Sequence, residues 1–427
     1  MTPNDKCKKE FRFDQNRRDL MKIGGLIMAT PLIALIPITS ASASDDFFNG
    51  GESISVLGDS ISHGAYAIDI YTNGWVKLLG RSLNAEYGTY SYGYTPYLTI
   101  GKGDLSSKDI HSINFKGQWT GLNNELATDS VSGLGFKSNN EGDTISITIP
   151  TSFINRALIH YRTQENGATF DVFVDGVLVD YVSSSGKINS FNSYELIIPS
   201  SNKTVTISVV LKESKPFIFE GISYLSPYKE RVCNNYSQSG RRLRYVGEDV
   251  IKTVCENSHT VVMALGHNDH GETDPAYQSE VSSKIDLFIQ YANQHKVRVV
   301  VPDFCWGADS SNWMRVLLKK LASDTGGIYV DLPSMLTKED GSPADSNHLI
   351  NTLGMWVDGS HPNIKGNKWI FETVAKEMGL SCSSKEEALT LYDYNLPSEK
   401  ETITKSGGSL STLTLLGLTS LFFRKNS

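Results

Sequence analysis

Three residues of the chain have the types and the spacing needed for acyl transfer by a serine nucleophile. Ser60 closes a Gly-Asp-Ser string that follows the apolar run 54–57. Asp358 and His361 are three positions apart, and on a tight loop or helical turn this spacing puts both side chains on one side. The carboxylate would accept from one ring nitrogen and leave the other to take the Ser60 proton. We therefore predict Ser60 as the nucleophile, His361 as the general base and Asp358 as its orienting acid.

Two further positions suit the stabilisation of the negative charge that acyl transfer creates. Asn268 follows the apolar run 261–265 and a glycine, and Gly240 closes the polar stretch 235–239. Gly240 has no Cβ to obstruct an acyl oxygen, and a strand-to-helix turn would leave the Ser60 N–H free to donate. We predict an oxyanion hole formed by Ser60, Gly240 and Asn268. A helix cap is the alternative role for Asn268.

Four blocks of the sequence, taken in order, resemble a known family. The blocks that resemble the SGNH (GDSL-type) hydrolases are Gly58-Asp59-Ser60, Gly240, Gly266-His267-Asn268-Asp269 and Asp358-Gly359-Ser360-His361-Pro362-Asn363. The resemblance implies a serine esterase on an α/β fold, a three-layer, flavodoxin-like hydrolase domain with a parallel sheet. His63, His267 and His270 have no ligand-spaced carboxylates or thiolates beside them, so we predict no metal, and we predict no cofactor.

Outside one long interval, the sequence alternates between strand-like and helix-like segments. Continuous apolar runs at 297–303 and 328–331 are typical of strands buried in a parallel sheet. Helical spacing of apolar residues recurs at 75–79, 281–291, 314–321 and 369–378. This alternation predicts a sheet covered on both faces, with the active loops at the carboxyl ends of its strands. Trp306 and Trp313 are candidates to line the cleft there.

The interval between the first two blocks is longer than a minimal member of the family needs. Its residues alternate polar and apolar, as in 144–149, and Asp175-Gly176 joins two strand-like runs as a two-residue hairpin turn. We predict an inserted all-β jelly-roll sandwich at 108–226 that resembles carbohydrate-binding modules, between hydrolase-domain parts at 44–107 and 227–383. A purely structural sandwich that shapes the cleft is the alternative.

Both ends of the chain have the pattern of targeting segments. Residues 1–43 contain Arg17-Arg18 in a string that resembles the twin-arginine export motif, followed by an uncharged apolar stretch and Ala41-Ser42-Ala43. Residues 384–405 form a polar linker, and 406–427, with Gly407-Gly408, a short apolar run and two basic residues, resemble a C-terminal sorting tail. A Sec-type signal and a plain tail anchor are the alternatives. We predict export to the periplasm, the cell surface or the medium, with the export machinery and a C-terminal sorting protease as partners.

The charge and the cysteines fit an exported protein that does not bind nucleic acid. The formal net charge is −7 and the sequence has no basic stripe, which argues against binding to nucleic acid by bulk electrostatics. Cys7 would leave with the signal. Four cysteines would remain and allow one or two disulfides of undetermined pairing: Cys233, Cys255, Cys305 and Cys382.

The sequence as a whole predicts an exported carboxylic ester hydrolase. The β-rich insertion and the address outside the cytoplasm favour a carbohydrate ester, an O-acetyl group on a polysaccharide or a cell-wall glycan. A lipid or aryl esterase and an acyltransferase with the same acyl-enzyme chemistry remain open. The hypothesis from another class is a surface glycan-binding protein without catalytic activity, and the complete set of catalytic residue types argues against it.

Overall fold

The structure is a computed structural model, and it describes residues 53–65, 74–87, 93–94, 112–122, 131, 135–150, 155–198, 204–225 and 232–380. The predicted signal peptide, linker and sorting tail lie outside the described residues, as do Cys7 and Cys382. No helix in the described part of the chain is long and apolar enough to cross a membrane.

Strands and helices alternate at both ends of the described chain, and the elements described in the interval between them are strands. The strands are β1 Ser53–Gly58, β2 Ser112–Lys116, β3 Thr120–Leu122, β4 Gly135–Ser138, β5 Thr144–Pro150, β6 Arg156–Arg162, β7 Thr169–Val174, β8 Val177–Ser183, β9 Phe191–Ile197, β10 Thr204–Leu211, β11 Phe217–Leu225, β12 Val232–Asn235, β13 Thr260–Ala264, β14 Arg298–Pro302 and β15 Ile328–Val330. The helices are α1 Ser60–His63, α2 Trp75–Tyr87, α3 Glu248–Glu256, α4 Pro275–His295, α5 Trp313–Asp324, α6 Leu332–Met335 and α7 Ile364–Glu377. Short 3-10 and π turns lie at Leu243–Tyr245 and His348–Thr352.

A five-stranded parallel sheet is assembled from strands on either side of the β-rich interval. Its order is β12-β1-β13-β14-β15, which becomes 2-1-3-4-5 when these strands alone are counted. This is the flavodoxin-like order, in which the first and third strands leave a crevice at their carboxyl ends. The predicted parallel sheet is thus confirmed, and the crevice falls between the ends of β1 and β13.

Each face of the parallel sheet has its own hydrophobic core. Val261 and Met263 belong to the core on one face, with apolar side chains of α3, α4 and α5. Val262 and Ala264 belong to the core on the other face, with side chains of α2 and α7. Consecutive residues of a strand point to opposite faces, so a strand covered on both sides must be apolar throughout. This explains the continuous apolar runs in the sequence, since burying one such large side chain is worth about 1.5–3 kcal/mol.

The described residues between α2 and β12 contain two antiparallel five-stranded sheets, β2-β5-β10-β7-β8 and β3-β4-β11-β6-β9. Both sheets contribute to one core, for example through Ile147 and Phe219. The predicted hairpin is confirmed, because β7 and β8 flank Asp175 and Gly176, whose φ angles of 50° and 80° suit a type I′ turn. The limits 44–107, 108–226 and 227–383 and the jelly-roll topology stay predictions.

The three cysteines of the described chain, Cys233, Cys255 and Cys305, are free thiols. Cys255 and Cys305 are members of the core on one face of the parallel sheet, whereas Cys233 packs against the core on the other face. Buried cysteines of this kind pack as small apolar side chains, and burial raises the pKa of Cys255 to about 12. The disulfides predicted from the sequence are therefore not formed among these three residues.

Candidate active site

Ser60 stands at a sharp turn between β1 and α1. Asp59 caps α1, and its side chain accepts the Ile61 backbone N–H at 2.9 Å. Gly58 lies so close to the helix that a Cβ there would be 2.5 Å from both the Cβ and the Oγ of Ser62. Only glycine fits where strand and helix approach this closely. The cap and the glycine therefore fix the position of the Ser60 hydroxyl relative to the end of β1.

The structure brings Ser60, His361 and Asp358 into one hydrogen-bonded chain. The Ser60 Oγ lies 2.9 Å from the His361 Nε2, and the His361 Nδ1 lies 2.9 Å and 3.1 Å from the two carboxylate oxygens of Asp358. The carboxylate favours a proton on Nδ1, which leaves Nε2 to accept from the serine hydroxyl. This is the arrangement that a serine nucleophile and its general base require.

Asp358 is held in place by the backbone of its own loop. Its Oδ1 accepts the N–H groups of Ser360 and His361, both at 2.7 Å. Desolvation acts to raise the pKa of Asp358, but the hydrogen bonds from the His361 ring and from these two N–H groups outweigh it and hold that pKa below the usual 3.8. The carboxylate is therefore ionised at neutral pH and able to stabilise an imidazolium, although its side chain is 44 % exposed.

Two asparagines anchor the loop that holds this aspartate and histidine. Asn363 caps α7, where its side chain accepts the Gly366 N–H at 3.1 Å. Asn367 is fully buried; it accepts the Trp75 backbone N–H at 3.1 Å and donates to the Pro362 carbonyl at 3.1 Å. The loop is thereby joined to α2, the helix that follows the serine turn. A buried amide whose groups are satisfied in this way rigidifies its surroundings.

The three predicted oxyanion donors follow neighbouring strands. Because β12, β1 and β13 are adjacent, the segments that carry Gly240, Ser60 and Asn268 meet at one edge of the sheet. Gly240 has a φ of +77° and open space where a Cβ would lie, so its backbone conformation is what favours glycine. The side-chain amide of Asn268 donates to the Arg241 carbonyl at 3.0 Å, which sets its orientation. The donor role of all three residues stays a prediction.

Two buried charged residues beside the nucleophile were missed by sequence reasoning. Asp59 is fully buried, and burial raises its pKa to about 7. Arg241 is 4 % exposed, and its guanidinium donates to the carbonyls of Tyr236 and Val131 at 2.7 Å and 2.9 Å. Asp59 lies within the Gly58-Asp59-Ser60 block and Arg241 directly follows Gly240, but the sequence contains no signal that either side chain is buried.

His267 lies close to the proposed base and keeps a neutral ring. Its Nδ1 is 2.9 Å from the Phe304 carbonyl, so that nitrogen carries the proton and donates. Burial, aided by the charges of His270 and His361, lowers the pKa of His267 to about 4. A neutral His267 does not repel an imidazolium at His361. Within the residues that the structure describes, no group of three or more histidine, cysteine or acidic side chains is arranged to hold a metal.

A cavity of about 480 Å³ lies at the segments that follow β13 and β14. Its wall combines aromatic faces with polar groups, and it includes His270, Glu272, Gln278, Trp306, Asn312 and Trp313. The Nδ1 of His270 is 2.6 Å from the His267 carbonyl, which connects this wall to the loop of Asn268. Trp306 and Trp313 thus line a cavity, and their place in the active-site cleft stays a prediction.

Comparison with known proteins supports the fold. No family model matches the chain, and no curated protein matches it. A solved structure of a peptidoglycan O-acetylesterase is 14% identical, with a TM-score of 0.57 over 80% of this chain and 92% of that chain. A family two carbohydrate esterase from Clostridium thermocellum in complex with cellohexaose is 11% identical, with a TM-score of 0.26 over 62% of this chain and 98% of that one. The first likeness shows a shared fold; the second is too low to carry an argument.

Proposed function

We propose that the protein is a serine esterase in which Ser60, His361 and Asp358 form the catalytic triad. The observation that carries this proposal is the unbroken hydrogen-bond chain, with the Ser60 Oγ 2.9 Å from the His361 Nε2. These two residues are 301 positions apart, so their contact is a product of the whole fold and not of local chain geometry. The fold shared with a peptidoglycan O-acetylesterase supports the same reaction class.

The reaction begins when the Ser60 hydroxyl attacks the ester carbonyl and gives its proton to the His361 Nε2. The N–H groups of Ser60 and Gly240 and the amide of Asn268 donate to the oxyanion, and losing one such donor costs about 100- to 1000-fold in kcat. His361 then protonates the leaving alcohol, and an acyl group remains on Ser60. Water next attacks the acyl-enzyme while His361 takes its proton; collapse of the second intermediate releases the acid and returns the proton to Ser60.

The substrate class we propose is an O-acetylated glycan. The cavity of about 480 Å³ is lined by Trp313, whose half-buried ring suits packing against a sugar, and by Glu272 and Gln278, whose polar groups suit hydrogen bonds to its hydroxyls. This mixed lining suits a saccharide better than the long apolar chain of a lipid ester. Neither Ser60 nor His361 lines the cavity, so it is proposed as the site of the sugar and not of the acetyl group.

Hydrolysis of nitrophenyl esters tests the reaction class. The wild-type protein should hydrolyse 4-nitrophenyl acetate faster than the octanoate, and Ser60→Ala should lose at least about 1000-fold in kcat. Unchanged activity in Ser60→Ala or in His361→Ala would contradict the mechanism. A preference for the octanoate would move the substrate to lipids. Glycan binding without hydrolysis of any ester would favour the inactive glycan-binding protein.

The proposed place of action is outside the cytoplasm, after removal of residues 1–43. The support is the Arg17-Arg18 pair before an uncharged apolar stretch and the Gly407-Gly408 pair before the apolar tail. Replacing both arginines (Arg17→Lys with Arg18→Lys) should keep the esterase in the cytoplasm if export uses the twin-arginine route, and unchanged export would favour a Sec-type signal. Mass spectrometry of the mature C-terminus should find a cut near Gly407; an intact tail would favour a plain anchor.

A further inference from the structure

The central strand of one of the two antiparallel sheets is buried on both faces. Every residue of β11 is buried, whereas β10 of the other sheet alternates between buried and more exposed positions. Alternation of this kind is expected when one face of a sheet packs on the sandwich core and the other faces solvent. The outer face of the sheet β3-β4-β11-β6-β9 must therefore be covered, around β11, by another part of the molecule.

Aromatic rings from the α/β part lie against that face. Tyr94 is 5.1 Å from Tyr236 and 5.3 Å from His160 of β6, measured between ring centroids. His160 in turn stacks on Phe191 of β9, with centroids 5.3 Å apart. Phe191 also packs against the hydrophobic core of the parallel sheet. The contact includes Tyr236, and Tyr236 belongs to the segment that leads from β12 to Gly240.

A buried ion pair lies at the same contact. Arg162 of β6 and Glu220 of β11 form a salt bridge in which both side chains are 0 % exposed. Glu220 stands at a bulge, where the register of β11 shifts between Phe219 and Gly221. Burial lowers the pKa of Arg241 to about 10; the charge of Glu220 opposes that shift and the charge of Arg162 adds to it.

Arg241 connects Tyr236, which packs against the sandwich, to two of the predicted oxyanion donors. Its guanidinium donates to the Tyr236 carbonyl at 2.7 Å, and its backbone N–H donates to the Gln238 carbonyl at 3.1 Å. These two bonds close the turn that contains Gly240. Its own carbonyl accepts the Asn268 amide at 3.0 Å. One residue thus sets both the turn of Gly240 and the orientation of Asn268.

We propose that the β-sandwich is a positioning element of the esterase site. Its face with the buried Arg162–Glu220 pair packs on Tyr236 through Phe191, and Arg241 donates to the Tyr236 carbonyl. Arg241 in turn holds Gly240 and Asn268 where an ester oxyanion forms. Arg241 is a positioning residue, because it acts through those two donors. The inference rests on the proposed function, and it gives the sandwich a role that does not depend on binding sugar. It also means that the outer face of this sheet is occupied by the esterase around β11 and is not open to a glycan there.

The test uses 4-nitrophenyl acetate, an ester without a sugar, and the full chain carrying Arg241→Lys, Arg241→Met or Glu220→Gln. Each variant should lose about 10- to 100-fold in kcat with KM changed less than about twofold, because displaced oxyanion donors weaken the binding of the transition state alone. Arg241→Lys keeps the positive charge, so its loss of kcat should be smaller than that of Arg241→Met. It still loses kcat, because lysine has no planar fork for the backbone acceptors. Glu195→Gln is the matched control: Glu195 pairs with Arg156 at 3.0 Å on the same sheet, in a part-exposed position, and its kcat should stay at the wild-type value.

Inhibition by a trifluoromethyl ketone separates positioning from a loss of folded protein. The ketone forms a tetrahedral adduct with the serine, and its oxyanion needs the same donors as the transition state. Its inhibition constant should therefore rise in parallel with the loss of kcat, in samples whose circular dichroism and melting curves show folded protein.

A wild-type kcat in both Arg241→Lys and Glu220→Gln, or an equal loss in Glu195→Gln, would overturn the inference. If Glu220→Gln fails to fold, Arg241→Lys decides the question alone. An inactive wild-type protein, equal to Ser60→Ala, would refute the proposed function and the positioning role with it.

Discussion

Replacing Asp59 with Asn should remove a large pH-dependent term from the stability of the protein. Asp59 is fully buried, and burial raises its pKa from 3.8 to about 7. The charge of Asp269 adds to this rise in pKa, and the hydrogen bond from the Ile61 N–H opposes it. Between these two values the folded protein keeps a proton that the unfolded chain has released. The contribution of Asp59 to stability is therefore complete below about pH 4 and is lost as the pH rises through about 7.

The size of this term follows from the two pKa values. A pKa of about 7 against 3.8 corresponds to about 4 kcal/mol, at 1.36 kcal/mol per pKa unit. Asn has nearly the same shape and keeps an oxygen for the Ile61 N–H, but it does not titrate. The free energy of unfolding of Asp59→Asn, relative to that of the wild type, should rise by about 2–4 kcal/mol between about pH 4 and pH 8.

Urea unfolding at a series of pH values measures this difference, and the buried Trp75, Trp306 and Trp356 supply a fluorescence signal. Asp358→Asn is a control of opposite sign. The pKa of Asp358 is held below 3.8, so its contribution is present above that pH and is lost as the pH falls further. Curves for the wild type and Asp59→Asn that stay within about 1 kcal/mol of each other across the window would refute the reasoning. They would mean that Asp59 is ionised in the fold, with the Asn268 amide, 3.5 Å away, as a sufficient partner.

Three further predictions concern activity. Gly58→Ala should cost about 1–3 kcal/mol of stability and at least tenfold in kcat, because the new Cβ would lie 2.5 Å from Ser62 and displace the serine turn. Gly341→Ala is the control: its new Cβ would meet nothing within 4 Å, and it should leave kcat unchanged in the same assay. Asp358→Asn should lower kcat for 4-nitrophenyl acetate at least about 100-fold while KM changes little, because the imidazolium loses its carboxylate; a loss below about threefold would count against the triad. Trp313→Ala should raise the KM for an acetylated oligosaccharide about tenfold and leave the KM for 4-nitrophenyl acetate unchanged. An equal rise in KM for both esters would argue against the cavity as the sugar site.

Apolar periodicity located the elements that carry the site but not their ends. The helix predicted at 281–291 spans Pro275–His295, because Asp274 caps its first turn and Lys296 ends it with a φ of 55°. Neither capping residue belongs to the apolar pattern from which the helix was predicted. The strand predicted at 297–303 spans Arg298–Pro302, so its predicted and observed ends differ less than those of the helix. The reason is that a strand buried on both faces is marked by its apolar run alone.

The buried charges could not be predicted, whereas the candidate triad could. Ser60, Asp358 and His361 lie in short strings whose residue types carry the chemistry. One such string alone is weak evidence, but the four blocks in their order are informative. Arg162 and Glu220 are 58 positions apart and look like ordinary surface residues in the sequence. Their burial is a consequence of how the sandwich packs on the α/β part. A single sequence does not show how close the sandwich and the α/β part lie, so it does not show which residues their packing buries.

The order of strands in the parallel sheet places Gly240, one of the predicted donors, after the least constrained of the three strands. Ser60 and Asn268 follow β1 and β13, which pair with strands on both sides. Gly240 follows β12, which lies at the edge of the sheet and pairs with β1 alone in the described topology. An edge strand has half of its backbone groups outside the ladder and is less constrained than a central one. The sandwich ends at β11, shortly before β12, and its outer face packs on Tyr236 next to the edge. An insertion at this point of the chain therefore supports the one member of the predicted oxyanion hole that the parallel sheet holds least firmly.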